Sequence, residues 1–545
     1  MPWKGLLKRL FSMLKLDSAA RSDLPKPANF SQNFKSFLKT FTGWPGWIWG
    51  VILLMALLNL SHLILKAFNL IQFDYSEGLV LSGVHRILDH PSLSDTYSFN
   101  PAFYDTTDLA YPPVFPYLGA FLSWILSYLP GFQSLCSLDI SIYAVRGLTL
   151  LGLLSSGALI YATVRLFKAS RLVSLAAAGL FFCFHPVIYW GDAGRVDALG
   201  LAFVLAGIYT VCRATPEQAV YSKSLAFLWA LPFFYLAFFT KQSLVAAALA
   251  VVVYLFISGR KKHSVLFAGL LGMGIGLGLA VLAIATGGNY LFFMTMERFT
   301  PFSIGQMLTI WGLSLALYCP LVGLAIWQVP AFFKSGGIKR LLVIWGGFAL
   351  LLSFTIGKAG AADYYFFEAL SFLCIMAGHS FSPLSPMSFR GRIPKAVVVL
   401  QLLILFGLAF WLNFQTDMQA NLRPAYQEAS RVLAQYPGHA RIFAELSGPA
   451  MASGHYDQVF DHFLYRQLSA ANVRDGQALV RDVIQQKFEI MLMGYDVLKL
   501  DAQVGYIPST PWPPGFEQAV QQHYRLLESI RGQDGQGYAW LLVPK

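Results

Sequence analysis

The sequence predicts a polytopic α-helical membrane protein with a small soluble α/β domain at its C-terminal end. Hydrophobic residues make up 56% of the 545 residues and charged residues only 12%, which is more apolar surface than a soluble core can bury. Long apolar runs recur between residues 46 and 414, and the chain becomes polar after them. We therefore expect a transmembrane domain over 46–414 and an α/β domain over 415–545.

The charge and the cysteine content argue against several other classes of protein. The net charge of +12 comes largely from lysine and arginine clusters between the apolar runs, where such clusters keep loops in the cytoplasm. Binding of nucleic acid is therefore not expected. The five cysteines form no CxxC pair, so neither a disulfide framework nor a thiolate zinc site is indicated.

Residues 1–45 predict a cytoplasmic amphipathic segment. Apolar residues such as Leu6 and Phe11 alternate there with Lys4, Lys8 and other basic residues, a pattern typical of a helix on an anionic membrane surface. The pattern is not that of a signal peptide. We therefore expect the N-terminus to stay inside and the first span to lead outward.

The positive-inside rule predicts 11 transmembrane helices. The apolar stretch 114–129 is ambiguous: if it spanned the membrane, later basic clusters such as 260–262 would face outward, which is unfavourable. Prolines punctuate both of its ends, and we interpret it as a helix that does not span. The predicted spans are 47–70, 141–164, 172–190, 197–213, 225–240, 243–258, 264–286, 305–328, 340–357, 363–380 and 396–414.

With this topology the polar clusters between the spans collect on the outer face. The large first outer loop, 71–140, begins with FDYSEG, which contains Asp74 and Glu77, and later includes Tyr111 before two prolines. Ionisable residues at the membrane edge are functional candidates by default. The later outer loops contain Arg195, Asp197, Lys241, Gln242, Lys358 and Tyr364.

Each cluster also has a purely structural explanation. The FDYSEG segment is explained equally well as a solvated loop that caps a membrane helix. Arg195 and Asp197 could form a local ion pair at a helix start, and Lys241 and Lys358 could extend to the interface. Lysines on the outer side work against the topology bias, however, which favours an anionic partner for them.

The order and sidedness of these motifs resemble the GT-C glycosyltransferases. Within that superfamily they resemble the polyprenyl-phosphate-sugar-dependent enzymes related to protein mannosyltransferases and to the aminoarabinose transferase of lipid A. The resemblance covers about residues 46–380. Its motifs are Asp74-Tyr75-Ser76-Glu77-Gly78, Tyr111-Pro112-Pro113, Arg195-Val196-Asp197, Lys241-Gln242 and Gly357-Lys358-Ala359-Gly360 with Tyr364.

The resemblance implies a hexosyl- or pentosyltransferase, inverting in its stereochemistry, that moves a monosaccharide from a polyprenyl-phosphate donor at the outer membrane face. The acceptor would be a glycolipid, a polysaccharide or a protein. It further implies a multi-pass protein of the plasma (inner) membrane, in contact with membrane lipids, with its C-terminal domain periplasmic or extracellular. Relatives often have adjacent acidic residues, whereas two positions separate Asp74 from Glu77, so the sequence leaves open which of them is the base.

The residue types suit this chemistry. Transfer from a sugar phosphate needs a carboxylate base near the acceptor hydroxyl and cations around the departing phosphate. Asp74 or Glu77 fits the base, and Arg195, Lys241 and Lys358 fit the phosphate clamp, while the aromatic side chains of the outer loops could stack on the sugar. No cofactor is firmly implied, a divalent cation is compatible with the chemistry, and no ligand spacing supports a metal site.

The C-terminal region predicts a domain of alternating short elements. Helical patterns cover 426–435, 476–486 and 516–530, and strand patterns cover 441–446, 488–493 and 538–543. By parity this domain lies outside, where a structural cap is its simplest interpretation. The competing function is a secondary transporter for a polar or lipid-linked solute, but transporters place charges near the bilayer midplane in repeated halves, and no repeat is evident here. A non-catalytic scaffold with the same fold is the third alternative.

Overall fold

The computed structural model covers the full chain and describes a defined part of it. The described residues are 46–68, 75–99, 109, 111–130, 140–214, 225–382, 392–459, 461–498, 511–533, 535 and 537–545. The chain divides into Met1–Val51 and Ile52–Lys545 as compact units. Of the first unit the structure describes only residues 46–51, which begin the first helix, so the predicted amphipathic segment lies outside the described residues.

Helices form the membrane part of the protein. Among the described residues, 6 helices are long and apolar enough to cross a membrane, which confirms a polytopic helical membrane protein; the total of 11 spans stays a prediction. The helices up to residue 433 are α1 (Gly46–Ala67), α2 (Tyr75–Asp89), α3 (Leu93–Thr96), α4 (Val114–Ser127), α5 (Ile140–Leu166), α6 (Arg171–Phe181), α7 (His185–Trp190), α8 (Val196–Ala214), α9 (Leu231–Thr240), α10 (Ala246–Ile257), α11 (Lys261–Ala285), α12 (Asn289–Thr295), α13 (Ile304–Ser335), α14 (Gly337–Ser353), α15 (Phe367–Ser380) and α16 (Arg392–Leu433).

Several predicted spans are broken helices. The predicted span 172–190 consists of α6 and α7, and Pro186 stands in the first turn of α7, where its missing N–H is tolerated. The predicted span 225–240 begins as a 3₁₀ helix, Ala226–Ala230, before α9. α4 has 14 residues, fewer than the ~20 of a full crossing.

A four-stranded sheet organises the C-terminal region. Its order is β1-β2-β4-β3, with β1 parallel to β2 and the other pairs antiparallel. The strand predictions at 441–446, 488–493 and 538–543 are confirmed by β1, β2 and β4. The elements are β1 (Ile442–Ala444), α17 (Ser447–Ala452), α18 (His462–Ala470), α19 (Gly476–Ile484), β2 (Ile490–Met493), α20 (Phe516–His523), β3 (Tyr524–Arg531) and β4 (Gly537–Pro544).

The predicted helix 516–530 is wrong in its second half. The helix α20 ends at His523, and β3 begins at the next residue. The sequence from Tyr524 is rich in helix-forming residues, but its pairing along β4 overrides that preference.

A long helix joins the membrane part to the sheet. α16 has 42 residues, and the predicted boundary at 414/415 falls inside it. Near its start the Gln401 amide donates to the Leu317 carbonyl of α13 over 2.9 Å, and near its end the Tyr426 hydroxyl donates to the Gly448 carbonyl of α17 over 2.9 Å. α16 is therefore hydrogen-bonded to α13 near its start and to α17 near its end.

The sheet, α2 and the membrane helices share one core. A single buried cluster contains Val84 of α2, Val145 of α5, Ala429 of α16, Ile442 of β1 and Leu541 of β4. Burial of each such side chain stabilises the folded protein by about 1.5–3 kcal/mol. This shared core therefore holds the C-terminal sheet against α2.

Candidate functional site

Six of the predicted site residues line one cavity, which we call the central cavity. The cavity encloses about 120 Å³, less than the ~300–1,000 Å³ of sites that enclose whole ligands. We expect it to hold the charged head of a ligand whose remainder lies outside. The six residues are Tyr111, Arg195, Lys241, Gln242, Lys358 and Tyr364.

Asp197 stands behind the cavity and fixes two of its cations. Its Oδ2 accepts from Arg195 Nε over 3.1 Å, and its Oδ1 accepts from Lys241 Nζ over 2.5 Å. Arg195 and Asp197 are each 6% exposed. The local ion pair of Arg195 and Asp197 therefore exists. Asp197 also binds Lys241, at the end of another helix, and so orients both cations at the cavity.

An aromatic platform supports the same two cations. The Arg195 guanidinium lies 4.3 Å from the ring centroid of Tyr364, and Lys241 Nζ lies 4.4 Å from it. Trp190 adds a second ring, 4.8 Å from the guanidinium. Because Tyr364 is only 8% exposed, cation–π contact describes its place in the structure better than stacking on a sugar.

The loop before α8 is positioned by two buried residues. Thr149 of α5 accepts a hydrogen bond from the Arg195 N–H over 3.1 Å and donates to the Arg195 carbonyl over 3.1 Å. The Gly194 N–H donates to Glu77 Oε1 over 2.8 Å. A side chain at Gly194 would meet Val145 at 2.5 Å, so only glycine allows this close approach.

Glu77 belongs to a buried ion pair. Arg146 Nε donates to its Oε1 over 2.6 Å, and Arg146 Nη2 donates to its Oε2 over 2.9 Å. Glu77 is 0% and Arg146 1% exposed, and Glu77 does not line the central cavity. With both oxygens on a guanidinium fork, this carboxylate positions the Gly194 loop. The sequence does not indicate this role for Arg146, because Arg146 is an isolated charged residue inside an apolar helix.

Asp192, in the same loop, is a buried carboxyl next to this pair. It is 0% exposed, and its two oxygens have no hydrogen-bond partner among the described residues. The nearest cation, Lys66, has its Nζ 3.7 Å away. Burial raises the pKa of Asp192 to about 6, although Lys66 and Arg146 oppose that rise.

Lys358 is presented by a loop that another helix holds. The Gln306 amide of α13 donates to the carbonyls of Ile356 and Lys358 over 2.9 and 3.0 Å. A single antiparallel bridge joins Phe302 to Lys358. Gly360, at φ +79°, makes the turn that returns the chain to Tyr364, whose hydroxyl donates to the Gly360 carbonyl.

Asp363 ties the aromatic platform to α7. Its Oδ1 accepts from Trp190 Nε1 over 2.6 Å, and its Oδ2 lies 2.7 Å from His185 Nδ1. The side chains of Asp363 and His185 are partly exposed, at 19% and 25%. Asp363 therefore fixes the orientation of Trp190 beside Arg195, a role that sequence reasoning missed.

The cavity has a third side from the C-terminal region. Asp461 and Leu464 line it, and Asp461 Oδ1 also caps α18 by accepting from the Leu464 N–H over 2.8 Å. In the first turn of α2, the Ser76 hydroxyl accepts a hydrogen bond from Arg195 Nη1 over 2.6 Å. Asp74 lies outside the described residues. Asp461 was not predicted as a site residue, because the sequence of the C-terminal domain indicates only a structural cap.

The charges around the cavity favour an anion. Among the residues that the structure describes, three cations, Arg195, Lys241 and Lys358, face two carboxylates, Asp197 and Asp461. Within the part of the chain that the structure describes, no group of three or more His, Cys, Asp and Glu side chains could hold a metal ion. The arrangement can bind a phosphate and stabilise charge that develops on it.

Solved structures share this fold. ArnT from Cupriavidus metallidurans bound to undecaprenyl phosphate matches with a TM-score of 0.56 and 13% identity, over 92% of this chain and 98% of that chain. The archaeal oligosaccharyltransferase AglB from Archaeoglobus fulgidus, in complex with an inhibitory peptide and a dolichol-phosphate, matches with a TM-score of 0.54 and 12% identity, over 90% and 80% of the chains. The apo form of the Archaeoglobus fulgidus oligosaccharyltransferase gives 0.55 and 11%, over 89% and 80%.

The sequence itself matches no protein-family model and no curated protein. At these identities the likeness concerns the fold. The chain has the fold of the GT-C glycosyltransferases, as the sequence resemblance implied.

Proposed function

We propose that this protein, which has the fold of the GT-C glycosyltransferases, transfers a monosaccharide from a polyprenyl-phosphate donor to an acceptor at the outer membrane face. The observation that supports the proposal most is the convergence of Arg195, Lys241 and Lys358, from three separate loops, on one cavity. Among the described residues the three cations face two carboxylates, so the cavity wall carries a net positive charge. A phosphate would balance that charge and a neutral solute would not.

The cations act on the leaving group. During transfer the bond between the sugar C1 and the phosphate oxygen breaks, and its electron pair stays on the polyprenyl phosphate. Arg195 offers a planar fork and the lysines offer point charges, so negative charge that develops on the phosphate meets donors already in place. The polyprenyl tail extends from the cavity into the surrounding lipid.

As the oxygen of the acceptor hydroxyl forms its bond to the sugar C1, a carboxylate of the protein accepts the proton of that hydroxyl. We assign this role to Asp74, because both oxygens of Glu77 are engaged by Arg146. Asp74 stands two residues before Ser76, whose hydroxyl bonds Arg195 at the cavity. Glu77 then serves as a positioning residue for the Gly194 loop.

The aromatic residues divide into two groups. Tyr364 and Trp190 support the cations. Tyr111 and Tyr365 line the cavity and are half-buried, so each is exposed enough to contact the sugar or the acceptor. The backbone of Tyr111 is fixed by Tyr97, whose hydroxyl donates to the Tyr111 carbonyl over 2.8 Å.

The acceptor reaches the cavity from the side of the C-terminal sheet. Asp461 and Leu464 form that side of the wall, so we place the 415–545 domain at the same membrane face as the donor, periplasmic or extracellular. The acceptor is a glycolipid, a polysaccharide or a protein. The remaining parts of the proposal are the inverting stereochemistry and a location in the plasma (inner) membrane.

The test is to incubate the purified protein with a panel of polyprenyl-phosphate sugars and to measure release of polyprenyl phosphate with and without candidate acceptors. We expect one donor to be consumed, and we expect Asp74→Asn and Lys241→Gln to reduce its consumption at least tenfold. Lys262→Gln is the matched control, since Lys262 is an exposed lysine at the predicted inner face. Adding chelator or Mg²⁺ to the same assay tests the divalent cation.

Two results would contradict the proposal. One is that no donor in the panel is cleaved, while vesicles containing the protein move a labelled sugar or sugar lipid intact across the membrane, as a transporter would. The other is that Lys241→Gln retains the donor cleavage of the wild-type protein.

A further inference from the structure

A second cavity lies in the C-terminal region, and we call it the C-terminal pocket. It encloses about 770 Å³, within the ~300–1,000 Å³ typical of ligand sites and several times the volume of the central cavity. Side chains that can bind a ligand line it: Arg466, Ser469, Asn472, Arg474, Gln477 and Trp512.

The pocket is a built feature of the fold. After α18 the chain reverses at Asn472, which has φ 55°, a conformation that asparagine tolerates. The segment that contains Trp512 packs across α19, where the Gln477 amide donates to the Pro514 carbonyl over 3.1 Å. A side chain at Gly476 would meet Pro513 at 3.0 Å. The two walls are therefore held at a fixed separation.

Two buried arginines line the pocket. Arg466 and Arg474 are each 3% exposed. Among the described residues that line the pocket, the one carboxylate is that of Asp475, which accepts from Arg481 Nη2 over 2.6 Å and from the Gln477 N–H over 2.9 Å. Its charge is thus already balanced by Arg481. Arg466 Nη1 lies 3.6 Å from Oε1 of the buried Glu445, so among the described residues the net positive charge of the wall comes from Arg474.

An aromatic surface stands beside these arginines. The Arg466 guanidinium lies 4.4 Å from the ring centroid of Trp512, and Trp512 stacks on Phe516 with centroids 4.6 Å apart. Prolines continue the apolar surface. Both faces of the indole are thus covered, but its N–H has no hydrogen-bond partner among the described residues and can donate to a ligand. Guanidinium groups, hydroxyls, amides and proline rings in one pocket suit a sugar ring, which has an apolar face and a polar edge, when that ring bears a carboxylate or a phosphate.

One helix connects this pocket to the central cavity. Asp461, Phe463 and Leu464 at the start of α18 line the central cavity, whereas Ser469 and Ala470 at its end line the C-terminal pocket. At a rise of ~1.5 Å per residue, these two ends lie roughly 14 Å apart. A chain of sugars could therefore occupy both sites at once.

We propose that the C-terminal pocket binds an anionic sugar of the acceptor and so places another part of the acceptor at the central cavity. The identification of the ligand as acceptor rests on the proposed function. The binding of an anionic sugar does not, because it follows from the pocket alone.

The test is direct titration of the full-length purified protein with glucuronic acid and, separately, with glucose, by calorimetry. We expect glucuronic acid to bind at least tenfold tighter than glucose. We expect Arg474→Gln and Gln477→Glu each to weaken glucuronic acid binding about tenfold. Gln477 is exposed, so its variant folds even where loss of the buried Arg474 destabilises the domain.

Matched variants locate the site. Arg441→Gln changes another arginine of the same domain, one that stacks on Phe488 and pairs with Asp482, and it should bind glucuronic acid like the wild-type protein. Lys241→Gln changes the central cavity and should do the same. Equal binding of glucose, wild-type binding by both pocket variants, or loss of binding in Lys241→Gln would each overturn the proposal.

The transfer assay separates this proposal from the proposed function. If the protein is a transferase, Gln477→Glu should raise the KM for an anionic glycan acceptor and leave the KM for the donor unchanged. If no donor is ever cleaved but glucuronic acid still binds as described, the proposed function fails and the pocket stands as a glycan-binding site. If transfer occurs and Gln477→Glu changes neither binding nor KM, the pocket proposal fails alone.

Discussion

Replacing Arg146 or Glu77 tests whether their buried pair is structural or catalytic. Arg146→Met leaves the Glu77 carboxylate, which is 0% exposed, with only the Gly194 N–H as a donor among the contacts described above. Removal of one partner from a buried ion pair typically costs 3–5 kcal/mol, because the other charge stays in a medium of low dielectric constant. Glu77→Gln should also destabilise the protein, since it removes the negative charge that accepts two hydrogen bonds from the Arg146 guanidinium.

The double variant gives the sharper result. In Glu77→Gln with Arg146→Met both charges are gone, and the glutamine oxygen can still accept from Gly194. We expect its free energy of unfolding to lie within about 1–3 kcal/mol of wild type, the cost of a buried amide that lacks a partner. The destabilisation of the double variant should therefore be smaller than the sum of the destabilisations of the two single variants.

The assay is equilibrium unfolding in detergent, followed by tryptophan fluorescence, with donor cleavage measured on the same preparations. Arg165→Met is the control, because Arg165 is an exposed arginine on the same helix and its loss should change stability by less than about 0.5 kcal/mol. If Glu77→Gln unfolds like wild type and loses only its cleavage activity, Glu77 is a reacting group and the structural reasoning is refuted. Wild-type stability of Arg146→Met would refute it as well.

Three further predictions concern other parts of the molecule. Asp74→Asn should abolish donor cleavage without lowering the unfolding midpoint; activity close to wild type would remove Asp74 as the base. Lys358→Gln should weaken binding of polyprenyl phosphate roughly tenfold or more, and the difference from wild type should shrink at high salt; an unchanged Kd at low salt would contradict the clamp. Burial raises the pKa of Glu445 to about 7 despite the nearby Arg466. Because the folded state then holds a proton that the unfolded state releases, the free energy of unfolding should fall by about 3 kcal/mol as the pH rises from 4.5 to about 7. Glu445→Gln should lack that part of the pH dependence, and identical pH profiles of the two proteins would contradict it.

The sequence was informative about which polar clusters come together. The positive-inside rule placed remote polar clusters on one face, and Arg195, Lys241 and Lys358 do line a common cavity. Span positions were also predictable within a few residues, as for α5 and α8, because an apolar run of helical length has few alternatives in a membrane.

The sequence was uninformative about buried partners. Arg146 stands in an apolar helix without a polar neighbour that would indicate its contact with Glu77, 69 positions away. Gln306 and Asp363 act on loops distant in the sequence. Such contacts depend on how the helices pack, which no single segment specifies.

Secondary structure failed where tertiary pairing decides it. The stretch that follows His523 has a helix-forming composition, yet it pairs as β3 along β4. The end of the membrane part was equally hard to see, because α16 continues past residue 414 without a break. A change in polarity marks the water interface, and it does not mark the end of a helix.

The continuity of α16 sets an angular relation between the bilayer and the sheet. With 42 residues the helix is ~63 Å long, and each residue added between its two anchored ends would turn whatever follows by roughly 100° about the axis. Asp461 would then swing away from Lys241, whereas an insertion of seven residues would nearly restore the original heading at a greater height. The number of residues in α16 therefore helps to set the geometry of the central cavity.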